Sequence, residues 1–277
     1  MLTVIESISL AGDRKKQNDD VCGFTGPRAW VIDGATDLSD TPLTLTASDA
    51  SWIAQYLNRR LYEPYGNDPS RALAELSRGA SEAFAALLDG RTYESWQSPI
   101  CSMLMMTERS GGALDVTDLG DCRFVALGGD GAVHVAGGPP GAADSEAENA
   151  ARQTDAHKPL LERAETIARL RAQRAAINRE GAEWTFGLDP ACGEHVRVQH
   201  FELKQPAHVL LMTDGFSALL DRYRAYDAGD LVRAALEKGL QELGRELRAI
   251  ENSDAGGAKH PRFKASDDAT ALLLRLS

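Results

Sequence analysis

Apolar and polar positions fall into blocks along this chain. Short runs rich in apolar or β-branched residues predict strands at Thr3–Leu10, Arg28–Ile32, Cys101–Thr107, Ala113–Asp118, Arg123–Leu127, Ala132–Ala136, Val196–Glu202, His208–Thr213 and Ala269–Leu276. The turns within the middle group carry Gly and Asp, which suit hairpins. Ser48–Leu61, Ser70–Leu88 and Asp230–Ile250 predict helices, the second with apolar residues three and four apart. A loop at Gly137–Asp144 leads into Glu146–Arg179, whose Ala, Arg and Glu content predicts helix. Asn252–Lys259 is a polar loop. Strands run in neighbouring groups, with two helices inserted together between them. That grouping is α+β rather than strict β-α-β alternation. There is no internal repeat and no low-complexity linker, so residues 1–277 are expected to form a single domain, with a variable helical insertion or flap at about 145–190.

Composition narrows the class. An apolar fraction of 43% and a charged fraction of 26% suit an ordinary globular protein with a full core. A net charge of −11 argues against general nucleic-acid binding, which needs a basic face. No apolar stretch approaches the ~18 residues that would span a bilayer, so no membrane role is expected. The first residues do not read as a signal peptide. The four cysteines include no Cys-x-x-Cys pair and are expected to be reduced, in a cytoplasmic protein. A monomer is expected. His134, His157, His195, His200, His208 and His260 show no metal-ligand spacing and are expected at the surface or in ordinary strand positions.

The acidic excess is not spread evenly. Aspartates stand beside glycine or another aspartate at the ends of apolar runs: QNDDV at Gln17–Val21, WVIDGATD at Trp30–Asp37, DLGDCRF at Asp118–Phe124, LLMTDGF at Leu210–Phe216 and SDDAT at Ser266–Thr270. Each run alone reads equally well as a turn or a helix cap. The set reads differently. A charged Asp at a buried strand end is costly unless compensated. Several together repel, by about 4 kcal/mol for two charges at ~4 Å and an effective dielectric of ~20. Such a cluster takes up protons or binds cations, and hard divalent ions prefer oxygen ligands.

In order and content these runs resemble the type 2C metal-dependent serine/threonine protein phosphatases. Asn18-Asp19-Asp20 is similar to the family's early acidic motif, and Asp33-Gly34 to its strand-end Asp-Gly. Gly120-Asp121-Cys122-Arg123 resembles the Gly-Asp-Ser-Arg hairpin. Thr213-Asp214-Gly215 matches the Thr-Asp-Gly motif, and Asp267-Asp268-Ala269-Thr270 resembles the closing Asp-Asn/Asp-x-Thr. The resemblance implies two antiparallel β-sheets packed as a sandwich with helices on both outer faces, a four-layer αββα fold. It implies two, and in many members three, Mn²⁺ or Mg²⁺ ions. Asp33 would bridge two of them. The Gly34 carbonyl with Asp19 and Asp20 would serve one, Asp214 and Asp267 the other, and Asp121 with Asp214 the third. The implied reaction is hydrolysis of phosphoserine and phosphothreonine in a phosphorylated protein substrate. A water shared between two cations loses its proton readily and attacks phosphorus in line, with no covalent intermediate.

The family also places an Arg just before the early acidic motif to grip the phosphate. Aligned on Asp20, that position is Lys15, with Arg14 beside it. Arg14 is preferred, because its fork reaches two phosphate oxygens at once. The chain departs from the family after Gly34, where Ala35-Thr36-Asp37 replaces a variable residue and two glycines. Ala35 cannot protonate a leaving group, and Asp37 is open to a ligand or a turn role. The segment Arg152–Glu180 holds seven Lys or Arg against four Asp or Glu. It reads as a solvated helix face or as an arm that selects a phosphorylated partner. Two other readings stay open: a catalytically inactive phosphatase-like module that binds a phosphoprotein or partner, and a small-molecule phosphatase on the same scaffold. A haloacid-dehalogenase-type enzyme is excluded, because its nucleophilic Asp would stand at Val31.

Overall fold

The computed structural model describes residues 1–277 except 65, 67, 110–111, 140–141 and 154–157. Part of the loop expected at Gly137–Asp144 lies outside the described residues, as does His157. The strands are β1 (Leu2–Leu10), β2 (Val21–Thr25), β3 (Arg28–Gly34), β4 (Cys101–Glu108), β5 (Ala113–Leu119), β6 (Arg123–Leu127), β7 (Val133–Ala136), β8 (Arg197–Glu202), β9 (Ala207–Met212) and β10 (Ala269–Leu276). The helices are α1 (Asp49–Leu61), α2 (Pro69–Leu88), α3 (Ala142–Ala151), α4 (Ala164–Ala176), α5 (Asp214–Ser217), α6 (Ala228–Lys238) and α7 (Leu240–Ser253).

Two five-stranded antiparallel sheets result, ordered β1-β10-β9-β6-β7 and β2-β3-β4-β5-β8. Strand periodicity explains how they stack. In β3, Ala29 and Val31 face the other sheet and, with Leu104 and Val116 of their own, pack against its Phe124, Val209, Leu211 and Leu274. Trp30 and Ile32 face outward, under Ile53, Leu57, Leu61, Leu73 and Phe84 of α1 and α2. On the first sheet, Leu210, Met212 and Leu273 face outward beneath Leu231, Val232, Leu243 and Leu247 of α6 and α7. Both faces of each sheet are covered, which is why the central strands read as unbroken apolar runs. Each side chain so buried contributes about 1.5–3 kcal/mol. The four layers expected from the resemblance are present.

Three expectations are corrected. The helix expected over Asp230–Ile250 is two helices, α6 and α7, broken at Gly239 with φ 83°. The apolar spacing runs on across the break, which hides it. Glu6 of β1 accepts from the Leu240 and Gln241 amides at 2.8 and 3.3 Å, so the new N-terminus has a partner. The stretch Glu146–Arg179 is likewise not one helix but α3 and α4, with a 3-10 turn, Leu160–Glu162, ahead of α4. Strand β2 is not expected from the sequence, because Gly23 interrupts its apolar run, and it pairs with β3 as a hairpin. Among the described residues no helix is long and apolar enough to cross a membrane, and all four cysteines are free.

Candidate active site

The ladders carry the acidic motifs to one end of the sandwich. Asp33 is the penultimate residue of β3, opposite Ser102 of β4. Asp121 stands two residues beyond β5, in the turn to β6. Asp214 stands two beyond β9, and Asp267 two before β10; Met212 pairs with Ala271, which puts these two ends side by side. All four carboxylates line one cavity of about 230 Å³, together with Gly34, Ala35 and Thr36. Asp19 and Asp20 lead into β2 and are not on the lining.

Short-range chemistry fixes this arrangement. The Thr213 hydroxyl donates to Asp20 Oδ2 at 2.8 Å and accepts from the Thr270 amide at 2.9 Å, which joins the two sheets at the site. Gly215 passes so close to the Asp268 carbonyl that any Cβ there would overlap it. This accounts for the whole Thr-Asp-Gly run: a tie, a carboxylate and a close approach. Asp268 accepts from the Gly12 and Asp19 amides, both at 2.7 Å, so it holds the acidic loop. The Gly34 amide donates to the Asp19 carbonyl at 3.3 Å. Arg123, of the Gly-Asp-Cys-Arg turn, pairs with Asp221 at 2.9 Å.

The cluster is electrostatically unsatisfied. Burial, then the charges of Asp20, Asp214 and Asp121, push Asp33 well above the ordinary carboxylate range. Burial does the same to Asp20, opposed by Thr213 and helped by Asp268 and Asp214. Asp214 is pushed up to about 6 by burial and by Asp267 and Asp121. Asp121 reaches about 6 through burial and Glu183, and Asp19 about 6 chiefly through burial. Asp267 runs the other way: burial raises it, but the adjacent Lys264 ammonium more than offsets that and holds it below the ordinary value. Two buried oxygens, Asp19 Oδ1 and Asp20 Oδ1, have no hydrogen-bond partner among the described residues. Among the described residues no group of three such side chains forms a ready-made cation cage. The donors nevertheless fit hard divalent ions: they are all oxygens, mutually repelling, half-buried or buried, and in part unpartnered.

The cations differ from those expected. Arg14 and Lys15 are exposed in the turn after β1 and are not on the cavity lining. Arg174, Arg222, Arg262 and Lys264 line it instead, with Glu146 of α3. Sequence reasoning misses them because helix faces and loops carry no local motif. Arg222 is salt-bridged to Glu146. Arg262 is bound to Asp254 at 3.0 Å and to backbone carbonyls around it. Lys264 donates to Thr36 Oγ1 at 2.6 Å and is paired with Asp267.

The altered loop after Gly34 is held by the arginine-rich arm. Arg174 reaches the Thr36 carbonyl at 3.2 Å. Arg171 donates twice to the Leu38 carbonyl, at 2.7 and 3.1 Å, and stacks over Trp96 at 4.0 Å. Asp37 accepts from the Asp49 and Ala50 amides at 2.8 and 3.1 Å, which caps α1. Two of the seven arm cations, Arg171 and Arg174, therefore hold this loop. A groove of about 940 Å³ opens beside the cavity, shares Asp121, Glu146, Asp214 and Arg222 with it, and has the stacked Trp184 and His195 rings in its wall.

A two-sheet sandwich with helices outside and a buried carboxylate cluster at one end is the architecture of a metal-dependent phosphatase. The family profile of protein phosphatase 2C matches residues 13–248, and the chain belongs to that family. The match takes in Asp19, Asp20, Asp33, Asp121 and Asp214 and stops before Lys264 and Asp267. No curated protein matches the chain. Among solved structures, the serine/threonine phosphatase PstP/Ppp of Mycobacterium tuberculosis is similar with a TM-score of 0.57 at 16% identity, over 100% of this chain and 99% of its own. The catalytic domain of PstP in complex with two manganese ions gives 0.53 at 16% identity, over 99% and 97%. The S. agalactiae serine/threonine phosphatase gives 0.57 at 13% identity, over 100% of both chains. At these identities the likeness is one of fold.

Proposed function

We propose that this chain is a metal-dependent phosphatase that hydrolyses phosphoserine and phosphothreonine in proteins, using Mn²⁺ or Mg²⁺. The observation that carries the reading is the convergence of Asp33, Asp121, Asp214 and Asp267, from four different strand ends, on one cavity. Family membership supplies the reaction class. Asp33 is read as the residue shared by two ions, with Asp19, Asp20 and the Gly34 carbonyl on one side and Asp214 and Asp267 on the other. Asp121, with Asp214, is read as the holder of a third. Bound there, the ions would supply a water of lowered pKa and neutralise charge on the phosphoryl group.

The chain's own work is to position and to exclude. Thr213 fixes the Asp20 carboxylate, and Asp268 fixes the loop that bears Asp19. Among the described residues no Ser-His or Cys-His pair lines the cavity, so attack by water rather than by a side chain is the reading. Ala35 offers no proton, so a water or another group at the cavity would protonate the leaving group. The groove beside the cavity supports a protein substrate over a small ester, because it gives room to residues flanking a phosphorylated side chain. Retention of every acidic motif supports an active enzyme over an inactive binding module. The net charge of −11 argues against a nucleic-acid partner, and the free cysteines suit a reducing compartment.

The test is hydrolysis of p-nitrophenyl phosphate and of a phosphothreonine peptide with Mn²⁺ or Mg²⁺, in wild type, Asp33→Asn and Asp214→Asn. Metal-dependent turnover by wild type and its loss in both variants is the expected result. A folded wild type that turns over neither substrate with either metal ends the reading.

A further inference from the structure

The carboxylates account for one side of the small cavity and leave its basic side unexplained. A phosphate monoester is an anion, and a chain that binds it gains from a charged donor of its own beside any metal. The turn with Arg14 and Lys15 does not reach the lining. Of the four cations that do, three are engaged elsewhere. Arg222 is paired with Glu146, and its Nε, with no partner among the described residues, is buried away from solvent. Arg262 is tied to Asp254 and to the carbonyls of Glu251 and Ala265. Arg174 points at the carbonyls of Ala35 and Thr36.

Lys264 is different. An ammonium has three donors. One goes to Thr36 Oγ1 at 2.6 Å and one to Asp267, and the third has no partner among the described residues. Its side chain keeps 32% of its surface while lining the cavity. Its position is also pre-set. Arg262, two residues earlier, locks the loop before β10, and Thr36 supplies a hydroxyl where a glycine would have none. The departure from the family pattern at Thr36 and the lysine at 264 are thus two halves of one contact, 228 residues apart in the chain.

We propose that Lys264 is the substrate-binding cation of this site: held between Thr36 and Asp267, its ammonium donates its remaining N–H to a non-bridging oxygen of the phosphoryl group. The inference rests on the phosphate-ester reading above. It assigns to a loop near the C-terminal strand the role that the sequence offers to Arg14 and Lys15.

The experiment is calorimetric titration of inorganic phosphate into the Mn²⁺-loaded protein, with a separate Mn²⁺ titration in the absence of phosphate. Lys264→Met should weaken phosphate binding by about 10- to 100-fold, the range for a charged hydrogen bond. Lys264→Arg should keep most of the affinity, and Arg14→Ala should bind like wild type. Mn²⁺ should bind Lys264→Met as tightly as wild type or more tightly, because a positive charge has left Asp267. Should Lys264→Met fail to fold, Lys264→Gln serves in the same titration. Unchanged phosphate affinity in the folded variant overturns the proposal. So does a loss matched by an equal loss of Mn²⁺ binding, which would make Lys264 a prop for Asp267 alone. A loss in Arg14→Ala with none in Lys264→Met returns the role to the turn. Because the titration reads binding without turnover, a wild type that binds phosphate through Lys264 yet hydrolyses no ester would end the catalytic reading and leave this one standing.

Discussion

Asp33, Asp121, Asp214 and Asp267 stand at or within two residues of strand ends, whereas Arg174 and Lys264 hang from a helix and a loop outside both sheets. The two sets share one cavity but reach it by different means. Each carboxylate is placed by a β-ladder a few residues away, anchored in turn by buried apolar side chains on both faces of its sheet. The cations are placed by contacts between remote segments: Arg174 meets Thr36 across 138 residues and Lys264 meets it across 228. A carboxylate position therefore survives as long as its strand does, while a cation position depends on how the arm and the last loop pack.

That comparison can be broken or sharpened by measurement. The largest effect is expected at the strand ends. Asp214→Asn should lower metal-dependent turnover of p-nitrophenyl phosphate by about 10²- to 10³-fold or more. The same change should raise the melting temperature of the metal-free protein, because one of several repelling charges is gone. A metal-free variant that melts lower than wild type would show that the cluster is not strained.

Metal comes next. Mn²⁺ at ~100 times its dissociation constant stabilises by about 2.7 kcal/mol, and a chain of this size gains roughly 2–4 °C per kcal/mol, so a rise of about 5–10 °C is expected by differential scanning. No rise would remove the site's claim to a divalent ion.

The pH dependence of the metal-free protein follows from the raised carboxylates. Asp19, Asp121 and Asp214 move from 3.8 to about 6 in the fold. Between these values the folded state holds protons that the unfolded state has released, so stability falls as pH rises through that window and stays low above it. Chelator-treated protein should melt higher near pH 5 than near pH 7, and Mn²⁺ should flatten the difference. A metal-free protein more stable at pH 7 contradicts the raised values.

The smallest effects are expected away from the strand ends. Arg171→Ala removes two hydrogen bonds to Leu38 and a stack on Trp96, and should cost about 1–2 kcal/mol in urea unfolding. It should raise KM more than it lowers kcat, since it frees the loop after Gly34 without touching a carboxylate. A fall in kcat as deep as that of Asp214→Asn would erase the distinction between the two regions. Glu6→Gln, on the far side of the first sheet, should cost about 0.5–1 kcal/mol through α7 and leave turnover alone.

Much of the acidic half is legible in the sequence. A strand that ends in Asp-Gly or Thr-Asp-Gly writes its carboxylate and its close approach within three residues, and the ladder does the rest. The strand ends can be read to within a few residues for the same reason. The break at Gly239 cannot, because hydrophobic spacing is continuous through it and only the Glu6 carboxylate, from a strand at the other end of the chain, rewards a fresh N-terminus there. Strand β2 escapes notice because Gly23 weakens a run already short.

The class of this protein, its carboxylate set and the order in which the strands deliver it are written in the sequence, because those depend on neighbours along the chain. Which cations line the cavity, what holds the Ala35-Thr36-Asp37 loop and how the arm joins the site are settled by tertiary packing. The physical reason is range: a strand end and its turn are fixed by hydrogen bonds a few residues away, whereas a long basic side chain has no preferred partner until folding brings one within reach.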